Sequence, residues 1–351
     1  MKKNIILLLI TLIVFCSGCG SLSSAEKERF SSSFIDLFDT ASTVIAYDES
    51  QESFDAHMEA FHQKLEEYNK LYDIYNTYDG MVNLAVVNKR AKDGPVEVDQ
   101  KILALLEYCR EVYTMSKGKT NICFGTVLSL WHDSRLYSAN NPDEAYIPDR
   151  KDLEEAAKHT DFDDLVIDRD NSTVYFKDPA LQLDVGAVAK GFAVREVCAW
   201  AQEHLWSSAA ISIGGNVVTF GYKNDDGRTL WNIAIENPDP EATENLVSLS
   251  LTDLSVVTSG DYQRYYTVDG KKYCHIIDPD TLMPADYVAS VSVLCPDSAM
   301  GDALSTALFN MSIEEGKALI DSMDGVEAVW VNQDYQRTYS AGFEAYIKNE
   351  E

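Results

Sequence analysis

The sequence predicts an α+β protein built as one catalytic unit, with mixed or antiparallel sheets against packed helices. Two observations carry that reading. Apolar residues recur at helical spacing in long blocks before Asp164, and after it short β-branched runs are separated by turn chemistry such as Asp170-Asn171 and Asp269-Gly270. Strands and helices in blocks, rather than in strict alternation, disfavour a doubly wound parallel sheet. No internal repeat and no convincing linker follows residue 34, so a single domain is expected over 34–351.

Taken in order, residues 33–47 have the β-branched and aromatic content of a strand. Phe54, Met58, Phe61, Leu65 and Tyr68 then predict a long helix over 52–75. Ile102, Leu105, Leu106, Cys109, Val112 and Tyr113 predict a second helix over 100–118, with Gly118 as its stop. Residues 132–160, with Asn140, Asn141 and two prolines before an acidic helix, suggest an insertion-like or surface stretch. Strands are expected at 165–168, 172–176, 209–213, 217–220, 231–235, 246–251 and 289–294, and helices at 188–203 and 300–311.

Composition limits the function. The 351 residues carry 29 Lys+Arg against 57 Asp+Glu, a net charge of −28. Such a surface repels phosphate backbones and anionic headgroups, which argues against general nucleic-acid or membrane-surface binding. A phosphorylated ligand would need a few placed cations or a metal.

The N-terminus departs from this polar picture. Lys2 and Lys3 precede an apolar run, Ile5 to Phe15, too short for a membrane-spanning helix but suited to a secretory signal. The run ends in Cys16-Ser17-Gly18-Cys19, a lipobox-like pattern, so residues 1–18 are expected to be a lipoprotein signal peptide and Cys19 the lipidated first residue of the mature chain. An ordinary cleaved signal is the alternative. Residues 19–33, Ser-rich and charged, are expected to be a flexible tether. The protein is then exported and anchored to the outer face of a bacterial cell membrane, touching it through lipid alone. The remaining cysteines, Cys109, Cys123, Cys198, Cys274 and Cys295, are odd in number and widely spaced, which suits buried apolar residues better than a disulfide framework or a CxxC metal site.

Several short motifs could carry chemistry. Leu183-Asp184-Val185-Gly186-Ala187-Val188-Ala189-Lys190-Gly191 is expected to end a strand at Asp184, turn tightly through small residues and open a helix, with backbone groups facing a ligand and Lys190 as a placed cation. It matches neither a P-loop nor a dinucleotide fingerprint, and taken alone such a turn is more often plain helix–strand packing. Gly214-Gly215-Asn216 fits a close backbone approach or a tight hairpin. Thr258-Ser259-Gly260 offers a polar cradle. His275 and Asp278 flank an apolar pair before Pro279. Asp302 and Thr306, four apart in a helix, put a carboxylate and a hydroxyl on one face, which suits a hard cation such as Mg2+ or a simple cap.

The order of these motifs is more specific than any one of them. Phe38-Asp39-Thr40, Tyr75, the stretch from Gly118 to Trp131, Asp184 to Gly191, Gly214 to Asn216, Thr258 to Tyr262, His275 to Pro279 and Asp302 to Thr306 together resemble the ApbE family, flavin transferases that move FMN from FAD onto exported proteins. The resemblance implies a T-fold-like architecture and a cleft that takes FAD as substrate with Mg2+ at its pyrophosphate. It implies FAD contacts from Phe38, Tyr75, Lys119, Thr120, Asn121, Asp184, Lys190, His275 and Ile276. It implies metal contacts from the Ala187 carbonyl, Asp302 and Thr306. The acceptor is then a Thr or Ser hydroxyl of an exported protein, and AMP leaves. His275, expected to titrate near neutrality, is the candidate base, with a structural role as its alternative; Asp302 is the other candidate. The same residues would serve an FAD pyrophosphatase, and the same cleft a flavin-binding lipoprotein without catalysis. The chain departs from the family pattern at Leu282, where Gly is usual, at Gly301, where Ala is common, and at Cys123-Phe124.

Overall fold

The computed structural model describes residues 27–223 and 227–348. The expected signal peptide over 1–18 and the lipidation site Cys19 lie outside the described residues. Among the described residues, no helix is long and apolar enough to cross a membrane.

An eight-stranded antiparallel sheet organises the chain. Its order is Glu28–Phe34, Ser42–Asp48, Ala209–Ile213, Asn216–Phe220, Leu254–Gly260, Ser290–Cys295, Glu327–Val331 and Arg337–Tyr339. The strand Ser290–Cys295 shows how both faces are filled. Val291, Val293 and Cys295 pack with Leu304 and Leu308 of the helix Ser298–Phe309, while Leu294 packs with Ile235 and Leu249 of the hairpin Trp231–Ile235/Val247–Leu251. A strand covered on both sides loses polar alternation and becomes a continuous apolar run.

The helix layer begins with Gln51–Tyr72, whose N-cap Ser50 accepts the Ser53 N–H at 3.2 Å. Phe54, Met58, Phe61, Leu65 and Tyr68 are all buried, as their spacing predicts. Gln100–Met115 buries Ile102, Leu105, Leu106, Cys109 and Val112 and stops three residues before the expected end, and the turn after it closes at Gly118, which takes φ +84° and donates to the Tyr113 carbonyl at 2.8 Å. Ala189–His204 crosses Ser298–Phe309, and together these place the site. All five described cysteines are buried and free, in keeping with their reading as small apolar residues.

Order begins earlier than expected. Residues 28–33 of the expected tether belong to the first strand, paired from Glu28 opposite Asp48 to Phe34 opposite Ser42. Its serines hid an alternation in which Phe30, Ser32 and Phe34 face the core side, and the Phe30 ring stacks on Phe54 at 5.5 Å. The expected strand over 33–47 is broken at 35–41, where Phe38 and Asp39 take left-handed φ values of 54° and 52°. The first helix stops at Tyr72 rather than Tyr75, because the Asp73 carboxylate accepts the N–H groups of Tyr75 and Asn76 and turns the chain.

Two other segments differ. No strand ends at Asp184: the Asn88 side chain donates to the Leu183 carbonyl at 2.9 Å and accepts its N–H at 2.8 Å, standing in for a neighbouring strand. The stretch 132–160 is a surface stretch over most of 139–152, with the expected acidic helix at Arg150–Ala156, but not at its start. It starts inside the helix Gly125–Asn140, whose buried Val127, Trp131, Ser134 and Ser138 form one face. Serines at the last positions of that face erased its apolar signal.

Candidate active site

The sequence-predicted residues converge on one cleft of about 540 Å3. Phe38, Tyr75, Lys119, Thr120, Asn121, Asp184, Ala187, Lys190, His275, Ile276, Asp302 and Thr306 all line it.

Its floor is set by a crossing of two helices. The Asp184 carboxylate accepts the Gly186 N–H at 2.9 Å, and the Asp184 N–H donates to the Ile122 carbonyl at 2.8 Å, which fixes the turn before the helix Ala189–His204. At Gly191 that helix touches Ser298–Phe309 so closely that a Cβ would lie 2.4 Å from Asp302 Cβ and 2.5 Å from the Ser298 carbonyl. Without a side chain there, the Gly191 N–H reaches Asp302 Oδ2 at 2.7 Å. This amide lies in the first turn of its helix, where unpaired N–H groups favour an anion. Lys190 Nζ stands 3.3 Å from Asp302 Oδ1 and donates to Asn216 Oδ1 at 2.7 Å. Three motifs distant in sequence thus meet at one ion pair.

Asn216 is carried there by the turn Gly214-Gly215, at φ +52° and +86°, between paired strands. The hairpin and close-approach readings both hold, since a Cβ on Gly214 would lie 2.5 Å from the Thr40 side chain. Next to Asp302, a Cβ on Gly301 would lie 2.7 Å from Val257, so glycine seats this helix on the sheet.

The oxygen atoms here fit a hard cation. Asp302 is nearly buried, Thr306 lies one helical turn on, and among the described residues no protein group pairs with the Thr306 hydroxyl. No group of three or more His, Cys, Asp or Glu side chains is gathered among the described residues to hold a metal. A cation at this wall would therefore rest on carboxylate, hydroxyl and carbonyl oxygens plus those of a ligand, the donor set of Mg2+ rather than of zinc.

Not every lining residue has a free side chain. Lys119 Nζ is held at 2.9 Å by Asp278 and at 2.8 Å by Asp280. The Thr120 hydroxyl donates to the Ala303 carbonyl at 3.0 Å, and the Asn121 amide bridges the Thr160 carbonyl and the Cys123 N–H. Lys119 therefore ties its segment to the loop that carries His275. Tyr75 stacks on His132 at the rim, ring centroids 5.0 Å apart.

His275 does not titrate near neutrality. Burial, reinforced by Arg264, Arg135 and Lys190, pushes its pKa down to about 4. Its Nδ1 lies 3.2 Å from the Arg264 carbonyl, which can only accept, so Nδ1 carries the proton and Nε2 keeps its lone pair. Burial pushes the Asp184 carboxyl up, against the pull of the Gly186 N–H, His132 and Arg135.

Sequence reasoning missed Arg135, His132 and Arg264, all of which line the cleft. Isolated arginines carry no spacing signal, and Arg135 lies on the helix whose pattern was masked. Of the departures from the family pattern, Phe124 lines the cleft and Cys123 is buried behind it. Leu282 takes φ +61°, the conformation a glycine would adopt freely, yet its side chain is 7% exposed in a cluster with Trp131 and Tyr266.

The chain is similar to known proteins over most of its length. A family model described as the ApbE family matches residues 38–330. An FAD:protein FMN transferase of Treponema pallidum is 35% identical over 271 residues, covering 74% of this chain and 73% of that protein. One from Klebsiella pneumoniae is 29% identical over 248 residues, covering 70% and 74%. The crystal structure of the ApbE protein from Thermotoga maritima superimposes with a TM-score of 0.80 at 25% identity, over 92% of this chain and all of that one. The flavin transferase ApbE from Vibrio cholerae shares the fold at a TM-score of 0.75 and 23% identity, over 92% of this chain and 99% of that one.

Proposed function

The chain belongs to the ApbE family and, like its curated relatives, is an FAD:protein FMN transferase; we propose that it moves FMN from FAD to a Thr or Ser hydroxyl of an exported protein with the help of Mg2+. The observation that supports this most is the convergence of Lys190, Asp302 and Thr306 in one cleft with a neutral histidine.

The reaction forms a bond from the acceptor oxygen to the FMN phosphorus and breaks the bridge to AMP. A bound Mg2+ would supply charge neutralisation at the pyrophosphate. Asp302, Thr306 and the Ala187 carbonyl would hold it. Lys190, kept in place by Asn216 and Asp302, adds a cation beside the phosphates. Phe38 and Tyr75 offer aromatic surface to the flavin. His275 takes the hydroxyl proton at Nε2. Burial depresses its pKa most in the free protein and nearby cations add to that; the negative pyrophosphate would offset the cations and so raise its basicity when substrate is bound.

We place the protein outside the cell membrane, held by lipid on Cys19. The net charge becomes −30 once residues 1–18 are removed, leaving 27 Lys+Arg and 57 Asp+Glu, and favours no other attachment. Mixing the protein with FAD, Mg2+ and a flavin-acceptor domain tests the reaction. A fluorescent acceptor with AMP supports transfer, free FMN with AMP reveals a pyrophosphatase, and intact FAD reveals a binding protein.

A further inference from the structure

Arg135 and Arg264 are charged groups in the cleft that the FMN-transfer account leaves without work. Arg135 lies on the helix Gly125–Asn140 and is half-buried, and Arg264 is exposed just after the strand Leu254–Gly260. Both line the one cleft, and Arg264 adds to burial in depressing the Arg135 pKa. Among the described residues neither forms an ion pair with a carboxylate. Arg135 donates to His132 Nδ1 at 3.2 Å, and Arg264 reaches only the Asp39 carbonyl, at 3.4 Å. In a chain with 57 acidic residues to pair with, two neighbouring cations left unpaired are arranged for an anion that the protein itself does not supply.

We propose that Arg135 and Arg264 form a recognition site for an acidic side chain of the acceptor protein, next to the hydroxyl that receives FMN. Three observations favour the acceptor over FAD as the source of that anion. The helix crossing with Lys190, Asp302 and Thr306 already provides for phosphate. Arg264 is exposed where a protein chain must approach, since a dinucleotide in about 540 Å3 leaves the acceptor the rim. The Arg264 carbonyl also accepts from both the backbone N–H and Nδ1 of His275, at 3.0 and 3.2 Å, so an anion seated on this arginine lies beside the group that takes the hydroxyl proton. An acceptor carboxylate would then both orient the hydroxyl and lessen the positive field around His275.

This inference rests on the transferase reading. Its test uses an acceptor domain that the unaltered enzyme flavinylates, so that failure of the transferase reading would already show there as absent transfer. Acidic residues around the modified hydroxyl are changed singly to amides and assayed with the unaltered enzyme, Arg264→Gln, Arg264→Lys and Arg135→Gln. The proposal predicts that Arg264→Gln and Arg135→Gln raise the acceptor KM about tenfold or more, with FAD affinity within twofold of the unaltered enzyme. It predicts that Arg264→Lys recovers part of the loss. One acceptor amide variant should reproduce the defect with the unaltered enzyme and add nothing further in Arg264→Gln. Parallel loss of FAD affinity would give the pair to the dinucleotide phosphates and overturn the proposal. So would an unchanged acceptor KM, or full additivity with every acceptor variant.

Discussion

Replacing Asp302 by Asn isolates the charge at the helix crossing from its shape. The amide keeps the size of the carboxylate, and its oxygen can still accept the Gly191 N–H that Asp302 Oδ2 accepts at 2.7 Å. What disappears is the negative charge 3.3 Å from Lys190, and Lys190 keeps its bond to Asn216. Lys190 is partly solvated, so the change should lower stability by only about 1 kcal/mol. Catalysis should suffer more. A metal carboxylate supports several kcal/mol of transition-state charge stabilisation, and loss of about 3 to 4 kcal/mol corresponds to roughly 100- to 1000-fold in rate. Single-turnover FMN transfer, a Mg2+ titration by calorimetry and a thermal melt measure the three quantities separately. A rate within threefold of the unaltered enzyme, with Mg2+ affinity unchanged, would refute the metal assignment. A collapse of the fold in step with the rate would refute the claim that charge alone was removed.

His275→Asn should cut single-turnover transfer by about 100-fold while FAD affinity stays within a few fold, and equal losses in both would make His275 a structural residue. A histidine pKa lowered to about 4 leaves the base form populated above that pH, so the acid limb of kcat/KM should fall near 4. That limb should vanish in His275→Asn; a limb near 6.5 would contradict the burial argument, and one that survives the substitution would belong to another group such as Asp184. Leu282→Gly relieves a left-handed backbone at φ +61°, worth about 1 to 2 kcal/mol, but empties a nearly buried leucine site, at about 2 to 4 kcal/mol. Urea unfolding should therefore show a net loss of stability, and a gain would mean the strain dominates. Cys19→Ser should release the protein from the membrane fraction or leave the signal uncleaved, and undiminished membrane retention of a cleaved form would remove the lipid anchor.

The sequence made the long helices and most sheet strands legible because each buries one regular face. Phe54 to Tyr68 and Ile102 to Val112 kept a helical period, and Ala209–Ile213 and Ser290–Cys295 were apolar enough to mark strands on their own. Where small polar residues occupy the buried face, the signal failed. Ser32 in the first strand and Ser134 and Ser138 in the helix Gly125–Asn140 are such cases. The cleft was legible through the order of its motifs, since Asp184, Lys190, Gly214, His275, Asp302 and Thr306 line one space. Spacing could not reveal that Lys119 is held by Asp278 and Asp280, or that burial, with cations adding to it, lowers the His275 pKa. Those depend on tertiary contacts, such as Lys119 with Asp278 and Asp280, about which local spacing carries no information.

If this cleft joins FMN to a protein hydroxyl, intact mass analysis of the acceptor will show the product itself. After incubation with FAD and Mg2+, the acceptor should gain the mass of one esterified FMN, matched mole for mole by AMP. Peptide mapping should place the FMN on a single Thr or Ser, and changing that residue to Ala should abolish the gain. An acceptor of unchanged mass while FMN and AMP accumulate in solution would contradict the account.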